Sequence, residues 1–176
     1  MIQEKNTIER EEIKVLIVDD QIDTLRPLEG AVKEVFTRHY QGRFGGYDTA
    51  RGYNDAQKAV EENGYDFVLL DHRMPKEAMK LPETLEKGGS LNDLTDEEAE
   101  AYFLEEDRIA SQIKGIGYNL IPEIKARNDR TIVIGTSSAD NLTEFPKPDY
   151  AINKIGLENA IDGLERIVKK LKGGNE

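Results

Sequence analysis

Val15-Leu16-Ile17-Val18-Asp19-Asp20 and Phe67-Val68-Leu69-Leu70-Asp71 are two apolar runs that each end on carboxylates. Consecutive apolar residues bounded by polar groups are the pattern of a strand buried on both faces. A third, shorter run, Tyr150-Ala151-Ile152, leads into Asn153-Lys154. A parallel sheet collects the carboxyl ends of its strands along one edge, and ligands bind in the crevice there. Three carboxylates and one ammonium on such an edge suit a divalent cation and a phosphoryl group.

Outward from these runs, strands alternate with helices. After Ile13–Val18, residues Leu25, Leu28, Val32, Val35 and Phe36 share one helix face. Pro27 is compatible only with the first turn of that helix. Residues 38–46 read as a loop containing Gly42, Gly45 and Gly46, ahead of a weak strand near 47–50. A short helix carrying Ala56, Ala59 and Val60 ends at Gly64. Residues 65–70 and 131–134 are expected strands, 150–152 a shorter one. The last helix spans Leu157–Leu171 on the stripe Leu157, Ile161, Leu164, Val168 and Leu171, with Gly173-Gly174 to stop it. This alternation predicts an α/β, doubly wound parallel sheet, and right-handed crossovers leave few topologies.

The 176 residues suffice for a substantial core with an elaboration. Cysteine is absent, which excludes a disulfide framework, a thiol nucleophile and a zinc–thiolate site. The polar start, Met1-Ile2-Gln3-Glu4-Lys5-Asn6, lacks the apolar region of a secretory signal. No run approaches the length of a membrane span. The net charge of −11 argues against direct nucleic-acid binding, which needs a basic surface, and fits either simple solubility or a basic protein partner.

Residues 76–114 break the rhythm. Five basic and eleven acidic side chains give this segment −6 of the total −11. Thr95-x-x-Glu98 is a capping-box pattern, with Asp96, Glu97 and Glu98 in the first turn of the helix it starts. Tyr102, Ile109, Ile113 and Ile116 give one apolar face, so the segment is expected to pack as an ordered, partly helical insertion. Residues 80–92, with Pro82, Gly88 and Gly89, are expected to be irregular, and residues 1–12 and 173–176 to be tails around a single domain of residues 13–172.

Adjacent acids such as Asp19 and Asp20 repel unless something neutralises them. A magnesium ion does so with a few carboxylates and waters; a helix cap is the simpler use of one of them. Asp71 can accept a phosphoryl group on a carboxylate oxygen, a reaction that needs a cation to hold incoming charge. Lys154 supplies one, and Thr136, past Ile132-Val133-Ile134-Gly135, supplies a hydroxyl. Taken singly, Thr136 reads equally as a cap and Lys154 as a surface charge. His39 reads as a surface or C-capping residue, and His72 as a flank of the cleft.

In these segments the chain resembles the receiver domain of two-component response regulators. Ile17-Val18-Asp19-Asp20 is similar to the family's first-strand acid pair, and Phe67-Val68-Leu69-Leu70-Asp71-x-x-Met74-Pro75 to its phosphoacceptor segment. Ile132-Val133-Ile134-Gly135-Thr136-Ser137 resembles the fourth strand with its switch hydroxyl. Lys154 falls at the family's lysine, and Gly117-Tyr118-Asn119-Leu120-Ile121-Pro122-Glu123-Ile124 at its third helix. The resemblance implies a five-stranded sheet of flavodoxin-like order 2-1-3-4-5, with helices on both faces. It implies Mg2+ held by Asp20, by Asp19 through water, by Asp71 and by the backbone carbonyl of Arg73. Asp71 would be the phosphoacceptor, Thr136 and Lys154 would bind phosphoryl oxygens, and Arg73 and Ser138 would tune hydrolysis. The donor would be a histidine kinase or phosphotransfer protein, the location cytoplasmic, and the role a signalling switch, not a turnover enzyme.

The chain departs from that pattern at four places. Residues 76–114 separate Met74-Pro75 from Gly117. Ile155, not proline, follows Lys154. Ala151 stands at the position of the family's switch aromatic, with Tyr150 one step away and so on the opposite sheet face. Residues 138–148, with Pro146 and Pro148, are short for a fourth helix. Two other functions share the pattern. One is a phosphorylation-independent binding module on this scaffold. The other is a phosphatase of the haloacid-dehalogenase type, although its first-strand Asp-x-Asp is not matched by Asp19-Asp20-Gln21-Ile22-Asp23.

Overall fold

Strands buried on both faces must be covered on both faces, and the architecture follows from that need. The computed structural model describes residues 12–136 and 144–173. Most of both expected tails, together with Ser137 and Ser138, lies outside the described residues.

In chain order the elements are β1 (Ile13–Val18), α1 (Ile22–His39), β2 (Phe44–Ala50), α2 (Tyr53–Glu62), β3 (Phe67–Leu70) and β4 (Arg73–Met74). They continue with α3 (Glu83–Glu86), α4 (Asp96–Ala110), β5 (Lys114–Gly115), α5 (Ile121–Arg127), β6 (Ile132–Gly135), β7 (Tyr150–Ala151) and α6 (Leu157–Leu171). Five strands form one parallel sheet in the order β2-β1-β3-β6-β7. Counting only the strands of that sheet, this is the order 2-1-3-4-5. β4 and β5 form a separate antiparallel pair, Arg73 opposite Gly115.

Period-two alternation divides the core. Val15, Ile17, Leu69 and Ile134 point to one face, where α1 and α6 cover them with Leu28, Val32, Phe36, Leu164 and Val168. Leu16, Val18, Val68, Leu70 and Val133 point to the other face, under Ala56 and Val60 of α2 and Leu120, Ile121 and Ile124 at and before α5. A third, smaller cluster of Met79, Leu81, Leu85, Tyr102 and Ile109 lies within residues 76–114 and packs against Ile22 at the start of α1.

Three local expectations are corrected. Pro27 occupies the second turn of α1, not the first; its ring is tolerated where the missing N–H belongs to one early bond of an otherwise well-packed helix. β2 begins at Phe44, inside the expected loop, because Phe44 pairs with Ile13 and Tyr47 with Val15, with Gly45 and Gly46 taken up in the register shift between them. Residues 80–92 contain a helical turn, α3, and a 3-10 turn at Leu91–Asp93 closed by reciprocal Ser90–Asp93 hydrogen bonds. His39 also does more than end a helix: its Nε2 lies 2.7 Å from Glu165 of α6.

Candidate functional site

Asp19 and Asp20 leave β1 at the carboxyl edge of the sheet, and Asp71 leaves the neighbouring β3. Parallel pairing of Val18 with Leu70 sets Asp19 and Asp71 side by side, and the Asp71 N–H donates to the Val18 carbonyl. One carboxylate oxygen from each of Asp19, Asp20 and Asp71 lies within 4.8 Å of the others. Lys154, after β7, reaches across the edge of the sheet. Its Nζ donates to Asp19 Oδ2 and Asp71 Oδ2, each at 2.7 Å.

Asp19 is fully buried and held on its other oxygen by the Thr24 hydroxyl at 2.6 Å and the Gln21 N–H at 3.0 Å. Asp71 is 4 % exposed and accepts a long bond, 3.4 Å, from the Arg73 N–H. Burial pushes Asp19 above the usual carboxylate range despite Lys154. Burial, reinforced by the Asp19 and Asp71 charges, pushes Asp20 up to about 7. Burial alone would weaken the Lys154 ammonium, but the two carboxylates outweigh it and hold the pKa above its ordinary value. Three acids facing one ammonium are therefore electrostatically under-compensated.

Thr136, at the end of β6, is 1 % exposed, and its Oγ1 has no hydrogen-bond partner among the described residues. Buried hydroxyls are almost always paired, so this orphan marks a place for an acceptor oxygen. The three acids, Thr136 and Lys154 thus converge on one sheet edge. Arg73 sits in β4 with its side chain exposed.

Several contributors were not legible in the sequence. Thr24 orients Asp19 from five residues away in the first turn of α1. His72 is buried, not merely flanking: its carbonyl accepts from the Ile116 and Gly117 N–H groups. Its ring packs on Tyr118 and Phe145 at centroid distances of 4.7 and 4.4 Å, and burial lowers its pKa. A Cβ on Gly117 would lie 2.0 Å from the Asp71 carbonyl oxygen, so only glycine lets the returning chain approach. Beside Asp20 a cleft of about 230 Å³ opens, walled by Ile22 and Asp23 of α1 and by Tyr102, Glu106 and Ile109 of α4. Arg26 ties α1 to the turn around α3 by donating to the carbonyls of Leu85 and Gly89. The only sequence signal for this arrangement was the apolar face of α4. Tyr150 packs on the α1/α6 side beneath Lys170, whose Nζ is 5.5 Å from the ring centre, while Ala151 is exposed.

No protein-family model matches the sequence, and no curated protein does. In structure the chain is similar to a CheY-like response regulator receiver domain from Methanospirillum hungatei JF-1, at 15% identity and TM-score 0.54, covering 92% of this chain and 94% of that one. It is likewise similar to the signal receiver domain of an HD-domain protein from Pseudomonas fluorescens Pf-5, at 12% identity and TM-score 0.54, covering 93% and 99%. The BeF3-activated DrrB receiver domain aligns at 15% identity and TM-score 0.53, covering 90% and 98%. The chain has the receiver-domain fold. Among the described residues no helix is long and apolar enough to cross a membrane.

Proposed function

We propose that this chain is a phosphoacceptor of two-component signalling, charged on Asp71 by a histidine kinase or phosphotransfer protein. The observation that carries the proposal is the cluster of three strand-end carboxylates, two of them paired with Lys154, on the sheet edge where the Thr136 hydroxyl has no partner among the described residues. The donor set fits Mg2+: Asp19, Asp20 and Asp71 are oxygen ligands with excess negative charge, and the Arg73 carbonyl would add a fourth. When bound, the ion supplies positive charge that screens carboxylate and phosphoryl oxygens from each other.

The residues then divide the work. A carboxylate oxygen of Asp71 forms a bond to phosphorus as the bond from phosphorus to the donor's imidazole nitrogen breaks. The imidazole leaves with that electron pair and takes up a proton from water. Lys154, already 2.7 Å from Asp71, shifts its ammonium toward a phosphoryl oxygen, and Thr136 donates its hydroxyl to another. Thr24 and the Gln21 N–H keep Asp19 oriented while this happens. Asp71 is modified once per event and regenerated by hydrolysis, so the chain acts as a switch and not as a turnover enzyme. The phosphoryl group adds roughly −1.5 to −2 charge, which alters affinity for a downstream protein. A cytoplasmic location follows from such a donor.

Incubation with phosphoramidate and Mg2+, followed by intact-mass measurement, tests this. Wild type is expected to gain one phosphoryl group and Asp71→Ala none. An unchanged wild-type mass, under conditions that load a known receiver, refutes the proposal.

A further inference from the structure

α4 and the turn around α3 enclose a groove of about 500 Å³ whose lining includes none of Asp19, Asp20 and Asp71. Its floor is apolar: Leu81, Pro82, Ala101 and the body of Tyr102. Its rim is acidic, with Glu83, Glu97, Glu98 and Glu105 against the single cation Lys80 among the lining residues. Beside it on α4, Phe103 and Leu104 are 54 % and 65 % exposed. Leu104 lies three residues after Ala101, so it extends the apolar floor along the same helix face.

α4 itself carries seven acids and one arginine. Of the rim acids, Glu98 is occupied in holding Thr84 and capping the helix at Thr95, and Glu105 pairs with Arg108. Glu97 remains exposed at the edge of the apolar floor. A second copy of this chain would bring acid against acid, with a net charge of −11 on each partner. An anionic membrane or nucleic acid meets the same repulsion. The complementary occupant is cationic at its edges and apolar at its centre.

We propose that this groove docks a basic amphipathic segment of a partner protein, seating its apolar side chains against Ala101, Tyr102 and Leu104 with lysines or arginines over Glu97 and its neighbours. This is helix-in-groove recognition, in which apolar anchors give affinity and the charged rim gives register and on-rate. The groove is present without a phosphoryl group on Asp71.

The test uses fluorescence anisotropy with a labelled amphipathic Leu/Lys peptide of about four helical turns, and the corresponding Leu/Glu peptide as control. The wild-type protein binds the Leu/Lys peptide, more weakly as salt rises from low to high, and does not bind the Leu/Glu peptide. Leu104→Ser weakens binding by about tenfold or more, and Glu97→Gln weakens it and flattens the salt dependence. Both positions are exposed, so unchanged thermal midpoints confirm that the fold is intact. Asp71→Ala binds as wild type, so failure of Asp71 to accept a phosphoryl group leaves this result standing. Equal binding of the two peptides, or binding indifferent to Leu104→Ser and Glu97→Gln, overturns the proposal.

Discussion

Lys154 sets one ammonium between two buried carboxylates, and its removal leaves both without a counter-charge. Breaking a buried pair by deleting one partner typically costs about 3–5 kcal/mol. Lys154→Ala is expected to lower stability by about that amount in urea denaturation, and Mg2+ should restore part of it by occupying the same charge deficit. A variant as stable as wild type without Mg2+ would mean that Lys154 does not compensate these acids. Asp20 makes a second prediction. Its pKa of about 7 lies above that of an unfolded aspartate. The folded protein therefore keeps a proton there that the unfolded chain loses near pH 4. That stabilisation is complete below pH 4 and is lost as pH rises through 7. Asp19 is shifted in the same direction. Mg2+ competes with these protons, so its rise in thermal midpoint is expected to be larger at about pH 8 than at about pH 5.5. Asp20→Asn should raise the midpoint without metal by a few degrees, on the order of 1 kcal/mol for a chain of this size, and shrink the Mg2+ response. An Mg2+ effect independent of pH would contradict the shared-proton account.

The elements around the site are held by close approaches that differ in how far they could be foreseen. Gly117 must pass within contact of the Asp71 carbonyl, and the neighbour a Cβ would strike is backbone. Gly117→Ala is expected to cost about 2 kcal/mol or more by forcing β3 and the returning chain apart, and to depress phosphoryl acceptance beyond what the stability loss explains. Arg26 ties α1 to the carbonyls at Leu85 and Gly89. Arg26→Ala should release residues 80–95, with proteolytic nicking there about tenfold faster, the equivalent of about 1.5 kcal/mol, and little change in global unfolding. These contacts also show what a sequence exposes. The buried strands were legible because Val15–Val18 and Phe67–Leu70 are unbroken apolar runs, while their order in the sheet was legible only through the resemblance those runs carry. The capping box Thr95–Glu98 was legible because it is local. α3 was not, since four residues carry no periodicity, and the start of β2 was not, since Gly45 and Gly46 resemble a loop. The strand-end acids, Thr136 and Lys154 were readable as residue types at strand ends. Thr24, Arg26 and the docking of Met79 and Ile109 on Ile22 are long-range or geometric facts without a local signature.

At the scale of the molecule the question is where a phosphoryl charge on Asp71 would be felt. One route runs through β6 and β7. There Ala151, exposed and paired with Gly135, is too small to follow a moving hydroxyl, and Tyr150 packs on the α1/α6 side beneath Lys170. The other route begins at once: β4 follows Asp71 by two residues, pairs with β5, and bounds residues 76–114 between them. That segment returns α4 to the cleft at Asp20, with Glu106 lining it opposite Asp23. An added charge of roughly −1.5 to −2 at Asp71 would increase the repulsion on those acids, and contact from the phosphoryl oxygens would shift the Asp71–Arg73 backbone, to which β5 is paired at Arg73. The 76–114 segment should therefore move before the β7 edge does. Hydrogen exchange with and without a beryllofluoride mimic and Mg2+ measures this. Protection over residues 76–114 is expected to change by about fivefold or more, equivalent to about 1 kcal/mol, and over residues 144–152 by less. Changes confined to 144–152 would place the switch on the β7 face after all. Changes in both would show that Thr136 communicates outward without an aromatic at Ala151, through the backbone pairing of Gly135 with Ala151.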